Sequence, residues 1–277
     1  MGTLFRHLAP ISATAWAEID EEAKRTLKAS LAGRKLVDFV GPLGRCTAAV
    51  STGRAKPVSS PLSGGGVGAR LRQSQPLVEL RVPFELSRAE LDAIDHGAKD
   101  ADLDPVIHAA QRIAEAEDRA IFHGYAAAAI EGICQAAQNT VSLPANFEEY
   151  PVAVAHAIAR LHAAGVDGPY AIALSRQSYV GLTETTKGGY PILPHVRRLL
   201  DGPIVWAPAL DGAVVLSMRG GDFELTVGED LSIGFLDHTD DTVRLYLKES
   251  FTFRTLSPQA AVALSQASGP RAAKKKS

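Results

Sequence analysis

GGYPILPHVRRLLDGPIVWAPALDGAVVLSMRGGDFELTVGEDLSIGF, residues 188–235, passes from helix to sheet within a single stretch. After a Gly-Gly turn, its first third reads as a short helix around Val196 to Leu200. Beyond Gly202 the apolar residues bunch into short runs bounded by Gly, Pro and Asp: Ile204-Val205-Trp206, Ala213 to Met218, and Phe223 to Val227. Runs of that length, with turn residues on either side, are strands. A further strand, Val243 to Phe253, alternates apolar and polar residues, as a strand with one wet face does. Upstream, PVAVAHAIARLHAAG (151–165) is helical with Gly165 as its stop, and Tyr170 to Leu174 is a strand. A helix through Tyr179 and Leu182 then leads into the loop Thr185-Thr186-Lys187-Gly188-Gly189-Tyr190. Helices stand apart from an antiparallel-leaning sheet and do not alternate as βαβ units, so the fold class is α+β.

The first half of the chain holds two strong helices. In residues 12–32, Trp16, Ile19, Ala23, Leu27 and Leu31 recur three and four apart, with Glu18, Glu21, Glu22, Lys24 and Arg25 on the other faces and Gly33 as the expected stop. The second, a spine of about 19 residues and nearly 30 Å, takes Asp104 as its N-cap, Pro105 in its first turn and Gly124 just past its end. Val106, Ile107, Ala110, Ile113, Ala114 and Ile121 form its buried stripe. Glu115, Glu117, Asp118 and Arg119 read as its charged, solvated face. Between the helices, Arg45 to Gln75 contains Gly53, Pro57, Pro61 and the cluster Gly64, Gly65, Gly66 and Gly68, with no sustained period. A loop that long is uncommon inside a compact domain. It reads either as an unpaired arm lying on a neighbouring subunit or as a mobile surface loop, and it flows into a strand from Leu77 to Phe84.

Composition narrows the function. Lys+Arg 29 against Asp+Glu 31 gives a net charge of -2, with no bulk attraction for a polyanion, so neither nucleic acid nor a membrane is an expected partner. No apolar run approaches the roughly 18 residues that cross a bilayer. The start, MGTLFRHLAP, lacks the layout of a secretory signal, and Arg6 stands where a myristoylation motif needs Ser or Thr. Cys46 and Cys134 form neither a metal knuckle nor a disulfide framework. A cytosolic protein is the expectation. The end, SQASGPRAAKKKS, carries no apolar pattern and reads as a disordered basic tail.

Chemistry is hard to find. The histidines at 7, 96, 108, 123, 156, 162, 195 and 238 include no H-E-x-x-H or E-x-x-H pair. Gly64-Gly65-Gly66-Val67-Gly68 lacks the Lys-Ser/Thr of a phosphate loop, and no G-x-S-x-G elbow occurs. No catalytic residue, metal or cofactor is expected.

LAPISATAWAEIDEEA (8–23), GRKLVDFVGPLG (33–44), PLVELRVPFELSRAELD (76–92), AEDRAIFHGY (116–125), IEGI (130–133), the opening stretch 188–235 and VRLYLKESFTFRTLSPQAAVAL (243–264) together resemble the family 1 encapsulins, in order and over Leu4 to Leu264. The resemblance implies the fold of tailed-phage major capsid proteins. Its divisions would be an N-terminal helix and arm (1–44), an extended loop (45–83), a peripheral domain with the spine helix (84–134), an axial domain (135–221), returning peripheral strands (222–264) and the tail (265–277). It implies a shell subunit that self-assembles into a hollow icosahedral particle around a cargo enzyme, a peroxidase or a ferritin-like iron protein bound through its C-terminal targeting peptide. The alternative is a phage-type capsid protein that packages nucleic acid. Carried over from the family, Leu27 and Leu31 would give apolar contact to the peptide, Arg34 and Asp38 charge-assisted hydrogen bonds, with Ile233 and Tyr246 as further candidates. Ordinary core packing is the alternative for the apolar ones. Thr185, Thr186, Lys187, Gly188, Gly189 and Tyr190 would surround a five-fold pore or simply form a tight turn. Some relatives hold a flavin on a Trp where this chain has Ala89, so no flavin is expected.

Overall fold

The computed structural model describes residues 4–59 and 67–266. The glycines 64–66, Pro61 and the tail beyond Gln266 therefore lie outside the described residues. In chain order the elements are α1 (Ala13–Ser30), β1 (Asp38–Val40), β2 (Ala49–Pro57), β3 (Arg70–Pro76), β4 (Val78–Ser87), α2 (Arg88–Asp95) and α3 (Asp104–His123). Next come α4 (Ile133–Ala136), β5 (Asn139–Leu143), α5 (Tyr150–Ala163), β6 (Tyr170–Leu174), α6 (Arg176–Glu184), β7 (Thr186–Lys187), β8 (Tyr190–Pro191) and α7 (Ile192–Arg197). The chain ends in strands: β9 (Ile204–Trp206), β10 (Ala213–Ser217), β11 (Phe223–Val227), β12 (Ser232–His238), β13 (Thr242–Thr255) and β14 (Ala261–Gln266).

Two five-stranded sheets carry the molecule. In the first, β13 is the centre. It pairs with β4 along one flank and with β12 then β11 along the other, and β1 adds to β11 in parallel. Its residues Val243, Leu245, Leu247, Phe251 and Phe253 are all buried. Those from Val243 to Leu247 share a cluster with Ile19 and Leu27 of α1, Leu31 just after it and Ile113 of α3. The second sheet runs β5-β14-β10-β6-β9, and two of its four pairings are parallel. Tyr170 to Leu174 and Ala213 to Ser217 are buried throughout, the mark of central strands covered on both faces. The last strand, β14, was expected among the returning strands of 222–264; it lies instead between β5 and β10. Ser265 and Gln266, assigned to the tail by sequence, are its final residues.

Several boundaries differ from the sequence expectation for physical reasons. α1 starts on Ser12, whose hydroxyl accepts Ala15 N–H at 3.0 Å, and it ends at Ser30, before Gly33. Gly33 has a different task. A Cβ there would sit 2.5 Å from Ile121 Cδ1, so the glycine lets the chain press against α3. Trp16 is half-buried, with the Arg6 guanidinium 3.8 Å above its ring. Leu103, not Asp104, caps α3; the Asp104 N–H is taken by the Asp102 carboxylate at 3.0 Å. The arm is not unpaired. β2 and β3 form an antiparallel ribbon with a register shift between Ser51 and Ala55, and Leu71 on it is 67 % exposed. Its base is tied down where Gln75 Nε2 donates to the Phe253 carbonyl at 2.8 Å and Arg254 Nη1 to that of Ser51 at 3.3 Å.

Candidate functional site

At the junction of α1, α3 and the first sheet, Arg34 faces three carboxylates. Its Nε lies 2.9 Å and its Nη2 2.6 Å from Glu117 Oε2, Nη2 is 2.9 Å from Glu249 Oε2, and Nη1 is 2.8 Å from Asp230 Oδ1. Glu117 and Glu249 are both 0 % exposed. Next to them the Asp118 carboxylate accepts the backbone N–H groups of Ala32 (2.9 Å) and Gly33 (2.7 Å), fixing the turn that follows α1. Burial pushes the Asp118 carboxyl up to about 7, against those two backbone donors, which pull it down. Glu117 and Asp118, expected on a solvated face, are thus interior groups; only Glu115 and Arg119 of that set are exposed.

Arg34, expected to hydrogen-bond the peptide, is engaged within the subunit by buried Glu117 and Glu249 and by partly exposed Asp230, its guanidinium carbon 5.2 Å from the Phe39 ring centroid. Leu27, Leu31 and Ile233 do come together, but as buried members of one core cluster. Tyr246 points the other way. In the β12–β13 register Ile233 opposes Leu247 and Gly234 opposes Tyr246, so alternation puts Ile233 and Tyr246 on opposite faces of the sheet. The Tyr246 ring lies across Gly234, where a Cβ would be 2.2 Å away, and Arg81 stacks on it at 3.7 Å. Asp38 alone of the six is exposed, its carboxylate accepting the Gly221 N–H at 2.6 Å. Sequence reading missed its neighbours: Phe39, Val40 and Leu43 are exposed apolar residues along the same edge of the sheet.

The loop Thr185 to Tyr190 is a two-strand hairpin. Thr186 pairs with Pro191 and Lys187 with Tyr190, while Gly188 (φ 58°) and Gly189 (φ 83°) take the left-handed turn that joins them. Two successive positive φ values make the tight turn whose twist suits a hairpin, and glycine adopts them without strain. Lys187 and Tyr190 (71 % exposed) stand at its tip.

A cleft of ≈ 590 Å³ lies between Phe147, Tyr150, Ser178 and Leu210. Ser178 Oγ has the hydroxyls of Tyr150 and Ser175 at 3.1 Å and donates to the Gly212 carbonyl at 3.3 Å. These partners satisfy the serine without supplying a base to activate it. Among the described residues there is no group of three His, Cys, Asp or Glu able to hold a metal ion, and no helix long and apolar enough to cross a membrane.

Comparison with known proteins adds what the geometry leaves open. The family described as encapsulating protein for peroxidase matches residues 1–252. A type 1 encapsulin shell protein of Rhodospirillum rubrum is 56 % identical over 270 residues, covering 95 % of this chain and 96 % of the relative. The chain belongs to the type 1 encapsulins. The encapsulin chain's fold is also found at far lower identity. A virus-like particle from Pyrococcus furiosus superimposes with a TM-score of 0.60 at 16 % identity, over 88 % of this chain and 98 % of that one. A structure from Gordonia phage Cozz does so at 0.57 and 14 %, over 86 % and 87 %. At such identities the likeness is one of fold, and the fold is that of phage capsid proteins. In this encapsulin chain the two sheets, the spine helix α3 and the β2–β3 ribbon are the parts of that fold.

Proposed function

We propose that the chain is the subunit of a hollow icosahedral shell that encloses a cargo enzyme. Membership of a family of shell proteins, matched over residues 1–252, carries this reading. The ribbon β2–β3 supports it: a hairpin wet on both faces, with Leu71 open to solvent, gains little within its own subunit and suits a neighbour's surface. The hairpin Thr185 to Tyr190 would then surround a five-fold opening, where five copies of Lys187 favour anions over cations. A nucleic-acid capsid would share the fold, but a net charge of -2 favours a protein cargo. The deciding experiment is size exclusion with negative-stain microscopy on the chain expressed alone. Uniform hollow particles are expected; a monomer or small oligomer at every concentration would reject the reading.

The cargo would be a peroxidase or a ferritin-like iron protein, docked by its C-terminal peptide on the wall near residues 27–40. Asp38, with exposed Phe39 and Val40 beside it, suits an extended peptide carrying both a charge and apolar side chains. Arg34, Leu27, Leu31, Ile233 and Tyr246 would act from beneath, by holding that surface in shape. Asp38→Ala is expected to lower cargo content severalfold at unchanged shell diameter, measured by the cargo-to-shell ratio of purified particles. Unchanged loading would remove Asp38 from the docking site.

A further inference from the structure

The cluster under Arg34 has more acid than one guanidinium balances. Glu117, Glu249 and Asp230 all contact it, and with every carboxylate ionised the junction would hold three negative charges against one positive. Two of the three are fully buried, where an uncompensated charge is most costly. The oxygens of Glu249 are also unequal. Oε2 accepts from Arg34 Nη2 at 2.9 Å, whereas Oε1 is buried and meets no donor among the described residues. An ionised oxygen with no donor is an expensive arrangement; a protonated one that can itself donate is not.

We propose that Glu249 carries a proton in the folded subunit and donates it to Glu117, so that Arg34, Glu117 and Glu249 form a proton-held latch fastening residues 31–38 to α3 and β13. Glu117 is the adjacent carboxylate: Oε2 of each acid accepts from the same nitrogen, Arg34 Nη2, at 2.6 and 2.9 Å. The proton explains the orphan oxygen and removes one of the surplus charges. It also explains how a glutamate occupies the inward row of β13 between Leu247 and Phe251.

The charges facing Glu249 come from each element around it: Arg34 from the turn after α1, Glu117 from α3, and Asp230 from the segment before β12. Beyond them lie Asp118 with Lys35, whose charge lowers it, and the ion pair of Lys248 with Glu229 at 2.7 Å. Burial, followed by the charge and hydrogen bond of Glu117, holds the Glu249 carboxyl well above the usual carboxylate range, with Arg34 opposing. A carboxyl raised in the folded state binds its proton more tightly there than in the unfolded chain. Its stabilising contribution is complete below the ordinary carboxylate range and is lost as pH rises through the folded value. Asp118 acts in the same sense between 3.8 and about 7.

The test is infrared spectroscopy of the full-length protein, reading the C=O stretch of protonated carboxyls between about pH 5 and about pH 9. Wild type is expected to keep a band after the Asp118 component has titrated near 7. Glu249→Gln should lose that residual band. Glu117→Gln should lose it too, because Glu249 then ionises against Arg34. The melting temperature of Glu249→Gln relative to wild type should rise steadily with pH. A wild type whose infrared titration matches that of Glu249→Gln, or a melting difference constant in pH, overturns the proposal. Neither readout depends on particle formation or cargo.

Discussion

Replacing Arg34 by alanine is expected to cost about 3–5 kcal/mol of folding stability, the usual consequence of stripping one partner from a buried ion pair. The reason is what it leaves behind: the fully buried Glu117 carboxylate, with Asp230 nearby and no counter-charge. Against a total of about 5–15 kcal/mol for a typical domain, that loss is a large share of the stability and should lower the yield of soluble subunit severalfold. Arg34→Lys should recover only part, since three guanidinium nitrogens reach three carboxylates in fixed directions and an ammonium is a single point. The combination Arg34→Met, Glu117→Leu and Glu249→Leu should restore the denaturation midpoint to near wild type, because apolar groups of similar volume carry no desolvation cost. Urea midpoints of the four proteins check this. An Arg34→Ala protein as stable as wild type would mean the cluster is solvated. The same result decides how any cargo phenotype of Arg34 is understood: loss of loading in that variant reports the wall, and Asp38 is the residue through which docking is separable from folding.

How much of this was legible depends on the kind of pattern that carried it. The α1 stripe Ile19, Ala23 and Leu27 and the turn Gly188-Gly189 were readable because local spacing and local φ specify them. The burial of Glu117 and Glu249 was missed, since the charged residues of α3 read as a solvated face, yet phase carried the signal. Glu117 stands four residues after Ile113 and four before Ile121, inside the buried stripe of α3. Glu249 falls in the inward row Leu245, Leu247, Phe251 and Phe253. An acid in an apolar phase is a buried acid seeking a partner, and that signal is available without any structure. Other elements were not legible. β12 is interrupted by Gly234, which resembles a break until Tyr246 from the neighbouring strand is seen to fill the space. β14 takes its place from pairings with β5 and β10, far away in the chain. The ribbon β2–β3 has two wet faces, so its pairing leaves no alternation in the side chains.

That ribbon gives the second large effect. Val50 and Gln75 are register partners, so residues 51–74 can be excised and the two ends joined by an Asn-Gly turn without straining the base. Among the described residues of the excised segment, none is a buried member of either apolar cluster. The subunit is therefore expected to keep its secondary structure and to melt within a few degrees of wild type. Assembly should fail almost completely, with the protein eluting as a monomer or small oligomer and hollow particles absent from the grids. A ribbon that is only a mobile ornament predicts the opposite, intact shells of normal diameter. Misfolded, aggregated protein would show that the ribbon supports its own subunit through Gln75 and Arg254, and the assembly role would then have to be given up. A folded chain that cannot close a shell separates the two layers of this structure. Its sheets and spine helix are stabilised by buried clusters within one subunit, while Leu71 of the ribbon stays exposed there.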